Sequence, residues 1–333
     1  MSTSLQQRLQ AIPGVHVHDQ GGTLVVEPVT EHDLIQTLVA LRLPESKVRL
    51  SLARMARIGN FNEASLTVSV DPGVQMAELE VAANQVGMTL GALSPGAKAL
   101  CVGEFLEGAY GGMRAVPGGR LEPVSMALRV VTPDALATAS HHSPRSAAGP
   151  ELDALYLGGG RRFGVISQAT MRLFPKASTS QRACFSFAAA PSLVRALIAT
   201  LQDGVVFSHG VLEKRSARYV ATMQIQGTAE SIERDLQTFG HRATDAQGRG
   251  AAFGADPVAL AAAPEHALDW RELRAALEAG SSLEVFRIAV DGVVAIGTDF
   301  GRKLDPAGFW PSFAGIEELS KTMDRYGVMR ILS

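Results

Sequence analysis

The stretch from Leu152 to Pro175, LDALYLGGGRRFGVISQATMRLFP, constrains this chain more than any other. A glycine-dense turn from Gly158 to Gly160 leads into Phe163, Gly164, Val165 and Ile166. An alternating strand then runs to a stop at Pro175. Glycine just before a strand lets the backbone approach another group closely, because no Cβ stands in the way. Two readings follow: a tight loop with nothing bound, or a backbone surface that meets a cofactor.

The rest of the chain sets the context for that choice. With 333 residues there is room for two domains or one large one, and 46% hydrophobic against 19% charged residues suits a globular protein with a sizeable core. A formal net charge of -2 gives no electrostatic footprint for nucleic acid or an anionic membrane. No apolar run approaches the roughly 20 residues that span a bilayer. The opening MSTSLQQRLQAIPG has no signal-peptide core, so the expected location is cytoplasmic. Cys101 and Cys184 stand far apart, read as small hydrophobes rather than as a disulfide or a zinc site.

Periodicity predicts an α+β chain. Thr23 to Pro28 reads as a strand, Thr30 as the N-cap of a helix to about Leu41 with Asp33 completing a capping box, and Lys47 to Leu52 as a second strand: a small βαβ unit. Leu66 to Val70 is a strand turned by Asp71-Pro72-Gly73, and Met76 to Val86 a helix stopped near Gly87. Ser94 to Gly119 reads as extended loop. Met126 to Val131 and Phe163 to Leu173 are strands. Further on come a helix at Leu193 to Leu201, a strand at Tyr219 to Gln226, helices at Ala229 to Phe239 and Trp270 to Leu277, a hairpin around Asp291-Gly292, and a last helix from about Gly315 to Met323.

In that order these segments resemble the flavoprotein family that includes vanillyl-alcohol oxidase, glycolate oxidase subunits and alkyldihydroxyacetonephosphate synthase. TLVVEPVTEHDLIQTLVAL is similar to the family's opening strand and helix, and LTVSVDPGVQMAELEVAANQVGMTLG to the start of its second subdomain. VGEFLEGAYGGMRAVPGGRLEPVSMALRVVTP resembles the loop across the isoalloxazine and pyrophosphate. SPRSAAGPELDALYLGGGRRFGVISQATMRLFP is most like the synthase branch. The resemblance implies a two-subdomain p-cresol methylhydroxylase (PCMH)-type FAD-binding fold over residues 1–178, divided near residue 62. A cap-like α+β domain with an antiparallel sheet over 179–297 and a returning segment over 298–333 would follow. It implies FAD as cofactor, held by Gly103, Gly111, Gly112, Gly119, Gly158, Gly159, Gly164, Val165 and Ile166. A buried doubly charged pyrophosphate needs many backbone N–H donors at close range, which is the reason for glycines.

The sequence also departs from the family. The glycine-rich pyrophosphate loop that follows the family's first helix and strand reads as deleted: Leu41 passes through Arg42, Leu43, Pro44 and Glu45 to Lys47, with no glycine before Gly59. Glu104 stands where a second glycine is usual, Gly160 and Arg161 take the acidic and glycine places of the Gly158 motif, and Pro123 replaces an acidic residue. Gly297 to Arg302 lacks the active-site histidine run, and Arg325 and Arg330 replace the usual proline and asparagine. No catalytic residue emerges. His16 and His18 share a strand face without a carboxylate partner, His141 and His142 fall in a variable loop, and His209 near Glu213 lacks supporting geometry.

The expectation is therefore a FAD-linked family member with a degenerate flavin site and impaired or lost redox catalysis. The alternatives are a working FAD-dependent oxidoreductase on a hydroxy acid or related small molecule, a non-catalytic partner of a larger flavoprotein, and a binder of a small phosphate ligand near Arg161 and Arg162. The loss of even three phosphate-directed hydrogen bonds, at roughly 1.5–3 kcal/mol each, weakens binding by orders of magnitude.

Overall fold

The structure, a computed structural model, describes residues 5–42, 48–108, 110–116, 120–141, 152–251 and 265–297. The expected C-terminal helix and closing motif, Gly119, and most of the loop holding His142 lie outside them. Three hydrophobic cores organise what is described.

The first core lies under a three-stranded sheet. Val15–Gln20 pairs antiparallel with Thr23–Pro28, which pairs parallel with Val48–Leu50 through the crossover helix Glu31–Ala40. The helix starts where it does because Thr30 Oγ1 accepts from the Asp33 amide (3.2 Å) and Asp33 Oδ2 accepts from the Thr30 amide (3.0 Å). Leu34, Leu38 and Leu41 then bury fully against Leu24, Val26 and Leu50, each contributing about 1.5–3 kcal/mol of transfer free energy.

The second core is covered by an antiparallel five-stranded sheet, ordered Ala137–Ala139, Ser125–Val131, Val165–Arg172, Thr67–Val70, Ile58–Asn62. Helix Met76–Gln85 packs Met76, Leu79 and Ala83 into it and ends before Gly87, whose φ of +73° suits a glycine. The stretch from Ser94, expected as extended loop, instead folds into two short helices, Pro95–Ala99 and Val102–Glu107. Ser94 Oγ accepts from the Ala97 amide with Pro95 in the first turn, and Glu104 caps back onto the Cys101 amide.

The third core belongs to a seven-stranded antiparallel sheet, ordered Arg249–Gly250, Thr179–Phe187, Arg218–Gly227, Phe207–Arg215, Leu283–Ala289, Gly292–Gly297, Glu265–Leu268. Helices Ala190–Gln202, Ala229–Asp245 and Trp270–Glu278 share one core with Leu212, Ala221, Met223, Ile225, Leu283 and Val285. Alternation sends the other residues of these strands to the opposite face, towards the second core. One irregularity matters. Phe207 and Leu212 are an odd number of residues apart, yet both bury in the helical core. A bulge between Phe207 and His209 restores the phase, since Phe207 pairs with Ile225 and His209 with the adjacent Gln224. Among the described residues no helix is long and apolar enough to cross a membrane.

Candidate functional site

The glycine turn lies at the foot of a cleft of about 890 Å³ between the three-stranded sheet and helix Val102–Glu107. Its walls include His18, Glu27, Arg49, Leu50, Glu104, Glu107, Tyr110, Gly160 and Arg161. Three carboxylates and two guanidinium groups thus line it.

At its centre is Glu107, 4% exposed. One carboxylate oxygen accepts from the Ile166 amide (2.8 Å), the other from Arg161 Nε (2.8 Å). Arg161 also donates through Nη1 to the Leu50 carbonyl (3.0 Å), tying the two sheets together. Burial opposes the charge of Arg161, but Glu107 outweighs it and pushes the guanidinium pKa up. Arg161 is thus neither a solvated surface charge nor an open phosphate ligand. The ion pair is buried, with both partners hydrogen-bonded, which is the condition under which desolvation is offset.

The expected cofactor-binding residues are brought together in part. Gly158 and Gly160 sit in the left-handed region (φ +71° and +60°), and their amides donate to the Leu106 (2.7 Å) and Glu107 (2.9 Å) carbonyls. Gly111 lies beside Gly158. The amides of Gly103, Gly111, Gly112 and Gly159 donate to the carbonyls of Pro72, Gly108, Phe105 and Tyr156. Gly164 packs against Val130 and Val131, the Val165 side chain is buried in the first core, and that of Ile166 in the second. Gly119 is outside the described residues.

Residues 51–57 follow the first sheet, where the family resemblance places the glycine-rich loop that this sequence lacks. Here the turn presents carbonyls instead. A Cβ on Gly73 would stand 2.2 Å from the Leu52 oxygen, 2.8 Å from that of Met55 and 2.9 Å from that of Ala53. Only glycine admits that approach, which seals the turn onto the Asp71-Pro72-Gly73 corner.

Two further features come from the chain's long-range pairing. Glu265, from the seven-stranded sheet, is buried and accepts from Ser94 Oγ (2.7 Å), the Gly96 amide (2.6 Å) and the Tyr110 hydroxyl. It joins the second core to the third. Cys101 lies half-buried on the cleft wall, and burial chiefly pushes its thiol up to about 11. Sequence reasoning missed Glu107 and Glu265. The first had a faint signal, a charge directly after the apolar pair Phe105-Leu106; the second had none. His209 is held by Glu284 (2.8 Å), whereas Glu213 pairs with Arg215. His16 and His18 are exposed on Val15–Gln20. Among the described residues there is no group of three or more candidate metal ligands.

Comparison with known proteins agrees with this architecture. Residues 32–138 match the model of a FAD binding domain. Alkyldihydroxyacetonephosphate synthase of Caenorhabditis elegans is 23% identical over 49% of this chain and 32% of that protein. The probable mitochondrial D-lactate dehydrogenase of Danio rerio is 32% identical over 47% of this chain and 32% of its own. The match thus spans about a third of each relative's length. Among solved structures, an alkyldihydroxyacetonephosphate synthase superposes with a TM-score of 0.65 (12% identity, 92% of this chain, 75% of the other). Substrate-bound p-cresol methylhydroxylase gives 0.60 (12% identity, 98% and 86%).

The fold is thus the two-part α+β architecture of PCMH-type FAD-binding proteins. Within it, residues 32–138 carry the match to a FAD binding domain, and FAD is the cofactor to set against the site. Measured against that cofactor, the named amides offer a pyrophosphate no open donor, since each already donates within the protein. A dianion beside Glu27, Glu104 and Glu107 would also meet repulsion.

Proposed function

We propose that this chain is a FAD-linked family protein whose dinucleotide site has been converted into internal contacts, with redox catalysis impaired or lost. The single observation behind this reading is Glu107, which takes up the Ile166 amide and the Arg161 guanidinium at the foot of the cleft. A bound flavin would supply the redox chemistry, with the protein binding and orienting it. Here the groups expected to bind are turned inward. On this reading the cofactor residues predicted from sequence serve as a structural turn, and the chain divides near residues 62, 178 and 297. Free Cys101 and Cys184 fit a reducing, cytoplasmic setting.

The test is a spectrum of the purified chain, then again after incubation with excess FAD and desalting. The expected result is no retained absorbance near 450 nm (an order-of-magnitude position for protein-bound oxidised flavin). Stoichiometric retained flavin sinks the proposal and favours a working oxidoreductase with a shortened binding domain. A colourless chain that co-purifies with a larger flavoprotein supports the non-catalytic subunit form of the same reading.

A further inference from the structure

A second cleft, about 800 Å³, opens where the free face of the seven-stranded sheet meets the five-stranded-sheet core. The bulge between Phe207 and His209 turns His209 onto this face. There its Nε2 meets Glu284 Oε1 at 2.8 Å, its ring lies 5.0 Å from that of Phe286, and Gln224 stands opposite it on the neighbouring strand. Glu284 and Phe286 are two residues apart on one strand and so share the face. Contact and register thus place these four side chains together.

The sheltered charge of this cleft is negative. A carboxylate only accepts, so Nε2 carries the hydrogen, and a neutral ring fills one oxygen of Glu284 without cancelling its charge. Glu284 Oε2 has no hydrogen-bond or ion-pair partner among the described residues. The side chain is 16% exposed, so water compensates it poorly. Glu80, half-buried on the side of the five-stranded sheet, accepts from the Asn84 and Thr89 side chains and the Leu90 amide, all uncharged donors. Lys98 and Lys176 also line the cleft, but both are exposed, where water and salt screen them. Arg182, one strand beyond Gln224, does not line it.

We infer that this cleft binds a primary ammonium carried on an apolar body. The ammonium donates to Glu284 Oε2 and to the Gln224 side-chain carbonyl, while Oε1 stays on His209. It lies over the Phe286 ring, whose face attracts a cation. The apolar body rests on Leu93 and Phe174, which line the same cleft. An anion of the same shape meets two sheltered carboxylates instead and is rejected. The inference does not rest on the fate of the flavin, because none of these residues lines the first cleft.

The experiment is calorimetric titration of the full chain with benzylamine, benzyl alcohol and benzoate, each alone. Benzylamine is expected to bind at least about tenfold more tightly than either, the factor set by one charge-assisted contact. Glu284→Gln keeps an acceptor for His209 and removes the charge. It should lose about tenfold in benzylamine affinity and leave benzyl alcohol unchanged. K98M/K176M, at two exposed positions, should keep the preference for benzylamine. Should Glu284→Gln fail to fold, Phe286→Leu reads the same site through the lost cation–ring contact, about fivefold in benzylamine affinity. Equal binding of benzylamine and benzyl alcohol, no benzylamine binding, or tighter binding of benzoate overturns the inference. So does a benzylamine affinity that ignores Glu284→Gln, or a preference that vanishes with the lysine pair.

Discussion

The two clefts differ in how their polar groups are spent. Around the first, amides, carboxylate and guanidinium meet one another: Ile166 and Arg161 on Glu107, Arg161 on Leu50, Gly160 on Glu107. Around the second, His209 Nδ1, Lys98 and Lys176 have no hydrogen-bond or ion-pair partner for these side-chain groups among the described residues. A site built for a ligand must leave such groups unmatched until the ligand arrives, whereas groups buried without one must find partners in the protein. The contrast separates groups that pair within the protein from groups that do not, in one fold shared with FAD-binding proteins.

The largest effect expected on the first region is that of Glu107→Ala. It leaves Arg161 buried without its carboxylate and the Ile166 amide without an acceptor. The expected loss is about 3–5 kcal/mol in urea unfolding. A loss below about 1 kcal/mol would mean that the pair is solvated and the cleft is open, erasing the contrast. Glu265→Ala comes next, at about 2–4 kcal/mol, because it removes a buried carboxylate shared by Ser94, Gly96 and Tyr110. If that variant keeps full stability, the two cores are not held by this contact and the second cleft has no fixed wall.

Cys101 probes the first cleft by chemistry. A thiol at about 11 rather than 9.0 carries about a hundredfold less thiolate at pH 8. Site-resolved alkylation by iodoacetamide should therefore be about a hundredfold slower than for a free thiol and keep rising as pH approaches 11. The sign for stability follows from the raised folded value. The contribution is intact below about pH 9 and falls between about 9 and 11, as the unfolded thiol ionises first. Rapid labelling at pH 8 would show a solvated wall.

What the sequence disclosed and what it hid follows from range. Thr30 with Asp33, Gly87 after its helix and the strand Val165–Arg172 ahead of Pro175 were legible because each depends on neighbours within a few residues. Helices Pro95–Ala99 and Val102–Glu107 were hidden because 5 and 6 residues are too few to show a helical period. Strand Phe207–Arg215 escaped because its bulge breaks the alternation that would have announced it. The glycine turn was seen, but not its use. That depended on Glu107, which lies 54 residues before Arg161, and no local pattern encodes such a pairing.

The smallest effect compares the two regions directly. Thr30 and Thr228 each cap a helix through a reciprocal box, the first beside the three-stranded sheet and the second behind the seven-stranded one. Thr30→Ala and Thr228→Ala should each cost about 1 kcal/mol, the usual worth of a cap. Their use lies in which transition they move. Since Arg161 ties the first core to the second and Glu265 the second to the third, both caps should shift one common unfolding transition, seen identically by far-UV circular dichroism and tryptophan fluorescence. Two transitions, each sensitive to one cap alone, would mean that the regions unfold independently. The tie from Arg161 to Leu50, or that from Glu265 to Ser94, would then be too weak to couple the cores.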